Sequence, residues 1–159
     1  MGLDVSAYSK VTLIAASGTP ACDWDKLDNG NRADLYNNSD FTERAGGMVE
    51  GIYDAEGCVR VFSSGYGHYN RFREQVAALV GKTCNEMWQV DTKGPFWEFV
   101  NFSDCEGFIG TTVCAKLADD FERYHDIAKN RLDTWELKQY ESFMRAFRLA
   151  SVAGVVWYH

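Results

Sequence analysis

The sequence is poor in residues that break secondary structure and in paired metal ligands. It holds 2 prolines and 3 histidines among 159 residues, and its 5 cysteines are scattered without a CxxC pair. An odd, scattered set of cysteines predicts reduced thiols instead of a disulfide framework. Because zinc sites of the Cys/His type need closely spaced ligands, no metal site is predicted and no cofactor is expected.

Positive charge and long apolar runs are also scarce. The chain has 16 Lys and Arg against 23 Asp and Glu, a net charge of −7. That balance argues against binding an extended nucleic acid, which needs a basic face. The apolar runs are too short to cross a bilayer and no signal-peptide pattern is visible. We therefore expect a protein with no membrane partner that resides in the cytoplasm.

Apolar and aromatic residues are plentiful, at 46% and 14%. A chain of this length and composition can bury a real core, so residues 1–159 are predicted to form a single domain. Strand and helix patterns mix without a regular βαβ rhythm and without internal repeats. The predicted class is α+β, a compact domain with a small, mainly antiparallel sheet packed with about three helices.

Alternation and helical spacing place the elements. Apolar and β-branched residues predict strands at 8–16, on either side of a turn at 54–57 within 48–64, and at 95–102. The closing segment 154–159 is predicted to be a short strand or an extended tail. Helical stripes predict three helices, at 68–82 with Gly81 as the stop, at 111–128 with Thr111 or Thr112 as the cap, and at 133–151.

The stretch SSGYGHYNRFR, residues 63–73, is a candidate anion site. A glycine-rich entry to a helix offers free N–H groups, and Arg71 and Arg73 can form bidentate contacts with phosphate. Tyr66, His68 and Tyr69 carry rings that can stack on a base. The stretch matches neither a P-loop nor a dinucleotide fingerprint. The alternative is an ordinary flexible turn capped by a serine, with surface arginines that pair with Glu74.

The stretch SDCEG, residues 103–107, places Asp104 and Glu106 after an apolar run. Two carboxylates one residue apart on a strand can bind a divalent cation, as in metal-dependent exonucleases with an Asp-x-Glu strand. The alternative is a turn ordered by Ser103 or Asp104, with Gly107 supplying a positive φ. Cys105 is a poor candidate nucleophile, because a carboxylate on each side opposes thiolate formation.

Several blocks together resemble a known family. The start MGLDVSAYSK, the stretch GYGHYNRFREQVAALVG, the block FSDCEGFIGTTVCAKLADDF and the ending AFRLASVAGVVWYH resemble a family of small proteins from phages, prophages and bacterial genomes. The resemblance implies a phage or prophage accessory protein expressed in a bacterial cytoplasm. It carries no catalytic residue over to this sequence.

The leading hypothesis is a non-enzymatic protein that binds and sequesters a small anionic, nucleotide-like ligand, which would counter host defence signalling. Tyr66, His68, Tyr69, Arg71 and Arg73 would face Asp104 and Glu106 across one pocket, and a homo-oligomer is expected because pockets often lie at subunit boundaries. One alternative is a divalent-metal-dependent nucleotide hydrolase that uses Asp104 and Glu106. Another is an acidic inhibitor of a host defence protein.

Overall fold

The computed structural model describes residues 2–17, 31–89 and 93–159. Within those ranges lie five strands, six α-helices and one 3-10 helix. The strands are β1 (Gly2–Ala16), β2 (Arg32–Leu35), β3 (Gly51–Gly65), β4 (Gly107–Gly110) and β5 (Val155–Tyr158). The helices are the 3-10 helix (Ser39–Ala45), α1 (Tyr66–Leu79), α2 (Cys84–Gln89), α3 (Trp97–Val100), α4 (Thr111–Arg123), α5 (His125–Arg131) and α6 (Thr134–Ala150).

The five described strands form one sheet in the order β2-β3-β1-β5-β4, and every neighbouring pair is antiparallel. β1 and β3 pair along their whole length, from Gly2 opposite Gly65 to Ala16 opposite Gly51. Alternation then sends Val5 to one face and Tyr8 to the other, so each face carries its own apolar cluster. The predicted α+β class with a mainly antiparallel sheet is confirmed.

The larger cluster lies between the sheet and the helices. Its centre is a set of aromatic rings that meet mostly edge to face or tilted, the geometry that ring quadrupoles favour. Phe99, for example, lies 5.0 Å from Phe143 and 5.4 Å from Phe121, and all three rings are fully buried. Phe72 of α1 stacks on Phe143 at 5.6 Å. Rings from α1, α3, α4 and α6 therefore pack together and hold these helices against the sheet.

Four expectations about the elements are borne out. α1 begins and ends close to the predicted bounds, and Gly81 with φ +72° follows its end. α6 begins after Asp133, which forms a reciprocal capping box with Glu136. β5 closes the described chain as a strand, and Gly107 has the positive φ, +114°, expected for the turn at 103–107.

Other expectations are wrong. Residues 54–57 do not turn, because they pair with β1 inside the continuous strand β3, where Gly57 lies opposite Ser9. The predicted strand at 95–102 is the short helix α3. The predicted helix at 111–128 is divided at Tyr124 into α4 and α5, and Gly110, not a threonine, is the cap of α4. Among the described helices, none has the length and apolar character needed to span a membrane.

Candidate functional site

The candidate site is built around α3, a single helical turn in the protein interior. Trp97, Phe99 and Val100 are buried, so water cannot satisfy most of the polar backbone groups at either end. At the start of the turn, the backbone N–H of Phe96 donates to Asp120 Oδ2 at 3.0 Å. Lys116 Nζ, 2.8 Å from that carboxylate, balances its charge. Side chains therefore replace the missing helical partners.

At the other end of α3, a buried arginine from the 3-10 helix donates to main-chain carbonyls. Arg44 Nη2 lies 2.7 Å from the Asn101 carbonyl oxygen, and Nε lies 3.3 Å from that of Glu98. Its guanidinium also covers the Trp97 ring at 4.1 Å. Burial lowers the pKa of Arg44 from its ordinary value, while Glu98 opposes that shift. The charge is retained because carbonyl dipoles and the indole face compensate for lost hydration.

A second buried arginine reaches the same segment from α1. Arg73 Nη1 donates to the carbonyl oxygens of Val100, at 3.2 Å, and Phe102, at 2.5 Å. Nη2 donates to Asn70 Oδ1 and lies 3.8 Å from Asp104 Oδ2. The residue is only 3% exposed, and Arg73 Nε has no hydrogen-bond partner among the described residues. Arg73 therefore joins α1, the end of α3 and the bend that follows it.

The bend at residues 103–107 is a turn, not the end of a strand. Ser103 Oγ accepts the backbone N–H groups of Cys105 and Glu106, at 3.3 and 3.1 Å, and β4 begins only at Gly107. The turn interpretation of this segment is therefore confirmed. Asp104 Oδ2 accepts a hydrogen bond from Asn70 Nδ2 at 3.0 Å, so the Asp104 carboxylate is held against α1.

Beside this bend lies a depression of about 450 Å³, which we call the Asp104 hollow. Trp88 forms one wall: the residue is 53% exposed, and its indole N–H donates to the Val100 carbonyl oxygen at 3.0 Å. The Arg73 guanidinium lies 5.5 Å from the Trp88 ring. The lining residues combine aromatic rings, amides, a carboxylate and the guanidinium: Asn38, Phe41, Arg73, Trp88, Asn101, Phe102, Ser103, Asp104 and Cys105.

The structure brings together two of the seven predicted site residues, Arg73 and Asp104. Glu106 is exposed and is not among the residues that line the hollow. Tyr69 is fully buried, and its hydroxyl donates to that of Tyr158 at 3.2 Å. Burial raises the pKa of Tyr69 to about 12. The expectation that Tyr69 faces a ligand is thus corrected: it belongs to the aromatic core.

His68 and Arg71 line a different depression, about 340 Å³, which we call the Trp135 hollow. His68 Nδ1 and Ser64 Oγ are hydrogen-bonded at 2.7 Å, and the His68 ring lies 6.0 Å from Trp135. Arg71 is 66% exposed at its side chain and pairs with Glu136 at 3.4 Å. Tyr66 is half-buried and packs against the larger core cluster. The single shared pocket expected from the sequence is therefore two separate hollows.

The acidic residues do not assemble into a metal centre within the described residues. In that part of the chain, no group of three His, Cys, Asp or Glu side chains is placed to hold an ion. The Asp120 carboxylate accepts the backbone N–H of Phe96 and pairs with Lys116. His125 Nε2 lies 3.1 Å from Glu141 Oε1. A hydrolase that uses Asp104 and Glu106 would need a ligand set beyond these.

Sequence reasoning missed Trp88, Asn70 and Asn101 as neighbours of the site. No sequence pattern singles out Trp88, because its position depends on its contact with the end of α3. Comparisons with protein-family models, curated proteins and solved structures gave no match. The site must therefore be interpreted from its own geometry.

Proposed function

We propose that this protein is a non-enzymatic binding protein that sequesters a small anionic, nucleotide-type ligand, with the base of the ligand in the Asp104 hollow. The observation that supports this is the contact between Arg73 and Asp104 beside the exposed ring of Trp88. A hollow of about 450 Å³ falls in the usual range for small-molecule sites, roughly 300–1,000 Å³. An aromatic wall with a few fixed polar groups is the usual lining of such sites.

The arginine contacts argue for recognition of the base, not of the phosphate. Arg73 gives its Nη donors to two carbonyl oxygens and Asn70, so they are not free to form a bidentate pair with phosphate. Asp104 adds a negative charge that opposes a phosphate at this position. Phosphate groups of the ligand therefore point away from the hollow toward solvent, while the ring stacks on Trp88.

The biological setting of the proposal comes from the family resemblance. A phage or prophage accessory protein in a bacterial cytoplasm gains from holding a nucleotide signal of the host defence without turning it over. We extend the proposal to a homo-oligomer, which would supply additional walls to a hollow that is open on one side.

The test is a panel of mononucleotides, cyclic nucleotides and ADP-ribose derivatives, read first as thermal shifts. We expect at least one compound to raise the melting temperature, and Asp104→Ala to remove most of that rise. Glu106→Ala is the matched control, since Glu106 is exposed, lies in the same bend and does not line the hollow. No shift with any compound, or a full shift in Asp104→Ala, would refute the proposal.

A second arm separates binding from turnover. The protein is incubated with the compound that binds, with and without magnesium or manganese, and then heat-denatured, and the released material is analysed by mass spectrometry. Intact compound is expected. Converted compound, with conversion lost in Asp104→Ala, would favour the metal-dependent hydrolase instead.

A further inference from the structure

Two histidines of this protein are hydrogen-bonded to a serine, and one of these two pairs is open to solvent. Ser64 Oγ and His68 Nδ1 lie 2.7 Å apart in an exposed contact. Ser6 Oγ and His159 Nε2 lie 3.1 Å apart, but Ser6 is only 7% exposed. A serine hydroxyl within about 2.6–3.2 Å of an imidazole nitrogen has the geometry of a nucleophile with its base. Accessibility therefore distinguishes Ser64 from Ser6.

His68 is placed to take a proton from Ser64. Nδ1 is the ring nitrogen that contacts the hydroxyl, and Nε2 has no hydrogen-bond partner among the described residues. When Nε2 carries the ring proton, Nδ1 accepts from Ser64 Oγ. A proton taken up at Nδ1 can then leave from Nε2 to water. The Trp135 ring packs beside the imidazole, with 6.0 Å between the ring centroids.

The pair borders the Trp135 hollow, which has room for a small reagent. Ser64 and His68 line this depression of about 340 Å³ together with Arg71, Asp133 and Trp135. Arg71 and Asp133 carry opposite charges and lie 3.8 Å apart, so the two charges balance each other. Trp135 is 40% exposed and contributes an apolar ring. A small, uncharged compound therefore suits this hollow better than an ion does.

We propose that Ser64 is a reactive serine, with His68 as its base, which is modified by small, uncharged acyl or phosphonyl electrophiles. Ser64 Oγ attacks the carbonyl carbon or the phosphorus, and a new O–C or O–P bond forms. The bond to the leaving group breaks, and the leaving group departs with the electron pair. The serine proton passes to His68 Nδ1. The modification consumes one electrophile per chain and does not depend on the Asp104 hollow or on the proposed function.

The experiment is labelling of the full chain with a biotin-linked fluorophosphonate, in which fluoride is the leaving group, followed by peptide mass spectrometry. We expect the label on Ser64. Ser63 is the internal control for accessibility alone, because it is exposed and has no hydrogen bond to a histidine among the described residues. Ser6 is the control for a histidine contact without exposure. Ser63 and Ser6 should both remain unlabelled.

His68→Gln tests the role of the base, because the amide can still form a hydrogen bond with Ser64 but cannot take up the proton. General-base catalysis contributes about 10²–10⁴-fold, so the labelling rate should fall about 100-fold or more. Ser63→Ala is the matched control and should be labelled at the rate of the unchanged protein. Circular dichroism melts check that both variants fold. Absence of label on Ser64 in the unchanged protein would overturn the proposal, as would an equal labelling rate in folded His68→Gln.

Discussion

Replacing Arg73 by methionine should destabilise the fold far more than replacing its neighbour Arg71. The substitution keeps a long apolar stem and removes every donor. Val100 keeps the indole N–H of Trp88 as a partner, but the Phe102 carbonyl oxygen loses the only hydrogen bond described for it. An unsatisfied buried acceptor costs about 1–3 kcal/mol, and breaking a buried charge network about 3–5 kcal/mol. We expect Arg73→Met to lower the free energy of unfolding by about 3–4 kcal/mol.

Arg71→Met is the control, two residues away on the same helix. Arg71 is 66% exposed, and its pairs with Glu136 and Asp133 lie at 3.4 and 3.8 Å. Exposed pairs of this kind contribute about 0–1 kcal/mol. Urea unfolding followed by tryptophan fluorescence measures both variants, with an unchanged denaturant slope as the check on two-state behaviour. Losses for the two variants within about 1 kcal/mol of each other would refute the buried role of Arg73.

Three further predictions concern packing, burial and protonation. Gly110→Ala should lower the free energy of unfolding by about 3 kcal/mol or prevent folding, because the added Cβ would lie 2.0 Å from the Ala45 carbonyl oxygen. In the control Gly67→Ala, the added Cβ meets nothing within 4 Å, so this variant should be as stable as the unchanged protein or more stable. Melting followed by circular dichroism measures both variants. Alkylation of the native protein, mapped by peptide mass spectrometry, should label the exposed Cys105. Cys84 should react only after denaturant is added, because burial shields it and raises its pKa to about 11. Burial lowers the pKa of His159, so as the pH drops the unfolded chain takes up this proton before the folded chain does. The free energy of unfolding should therefore fall as the pH drops from about 7 through 6.5. His159→Gln should remove that part of the decline, and a variant with the same pH profile as the unchanged protein would refute the role of His159.

The helical spacing of α1 is sufficient to place Arg71 and Arg73 on different faces of the helix. Tyr69, Phe72 and Val76 define the buried stripe of this helix. At 3.6 residues per turn, Arg73 lies about 40° around the helix from Tyr69, whereas Arg71 lies about 160° from it, on the opposite face. The two arginines could therefore have been assigned to different faces from the sequence alone. Their proximity in the chain alone predicts, wrongly for Arg73, that both face one phosphate.

The conformation of residues 95–102 could not be obtained from the same reasoning. A short run of apolar residues fits a buried strand and a buried helical turn equally well. The choice depends on partners that are distant in sequence: Arg44, Arg73 and Asp120 satisfy the ends of the turn. No local sequence pattern identifies such distant partners. For the same reason, the position of Trp88 beside Asp104 cannot be predicted from the sequence.

The two buried arginines also explain why the hollow has defined walls. Burying the charges of Arg44 and Arg73 is unfavourable unless hydrogen bonds replace the lost water. Four main-chain carbonyl oxygens accept these hydrogen bonds, those of Glu98, Val100, Asn101 and Phe102. These carbonyls in turn depend on side-chain donors, chiefly the two arginines, since the helical turn is too short to supply backbone donors. The segment consequently has one low-energy position between the 3-10 helix and α1. Asp104 lies two residues after Phe102, so the buried Arg73 that holds the end of this segment also lies beside the Asp104 carboxylate in the hollow.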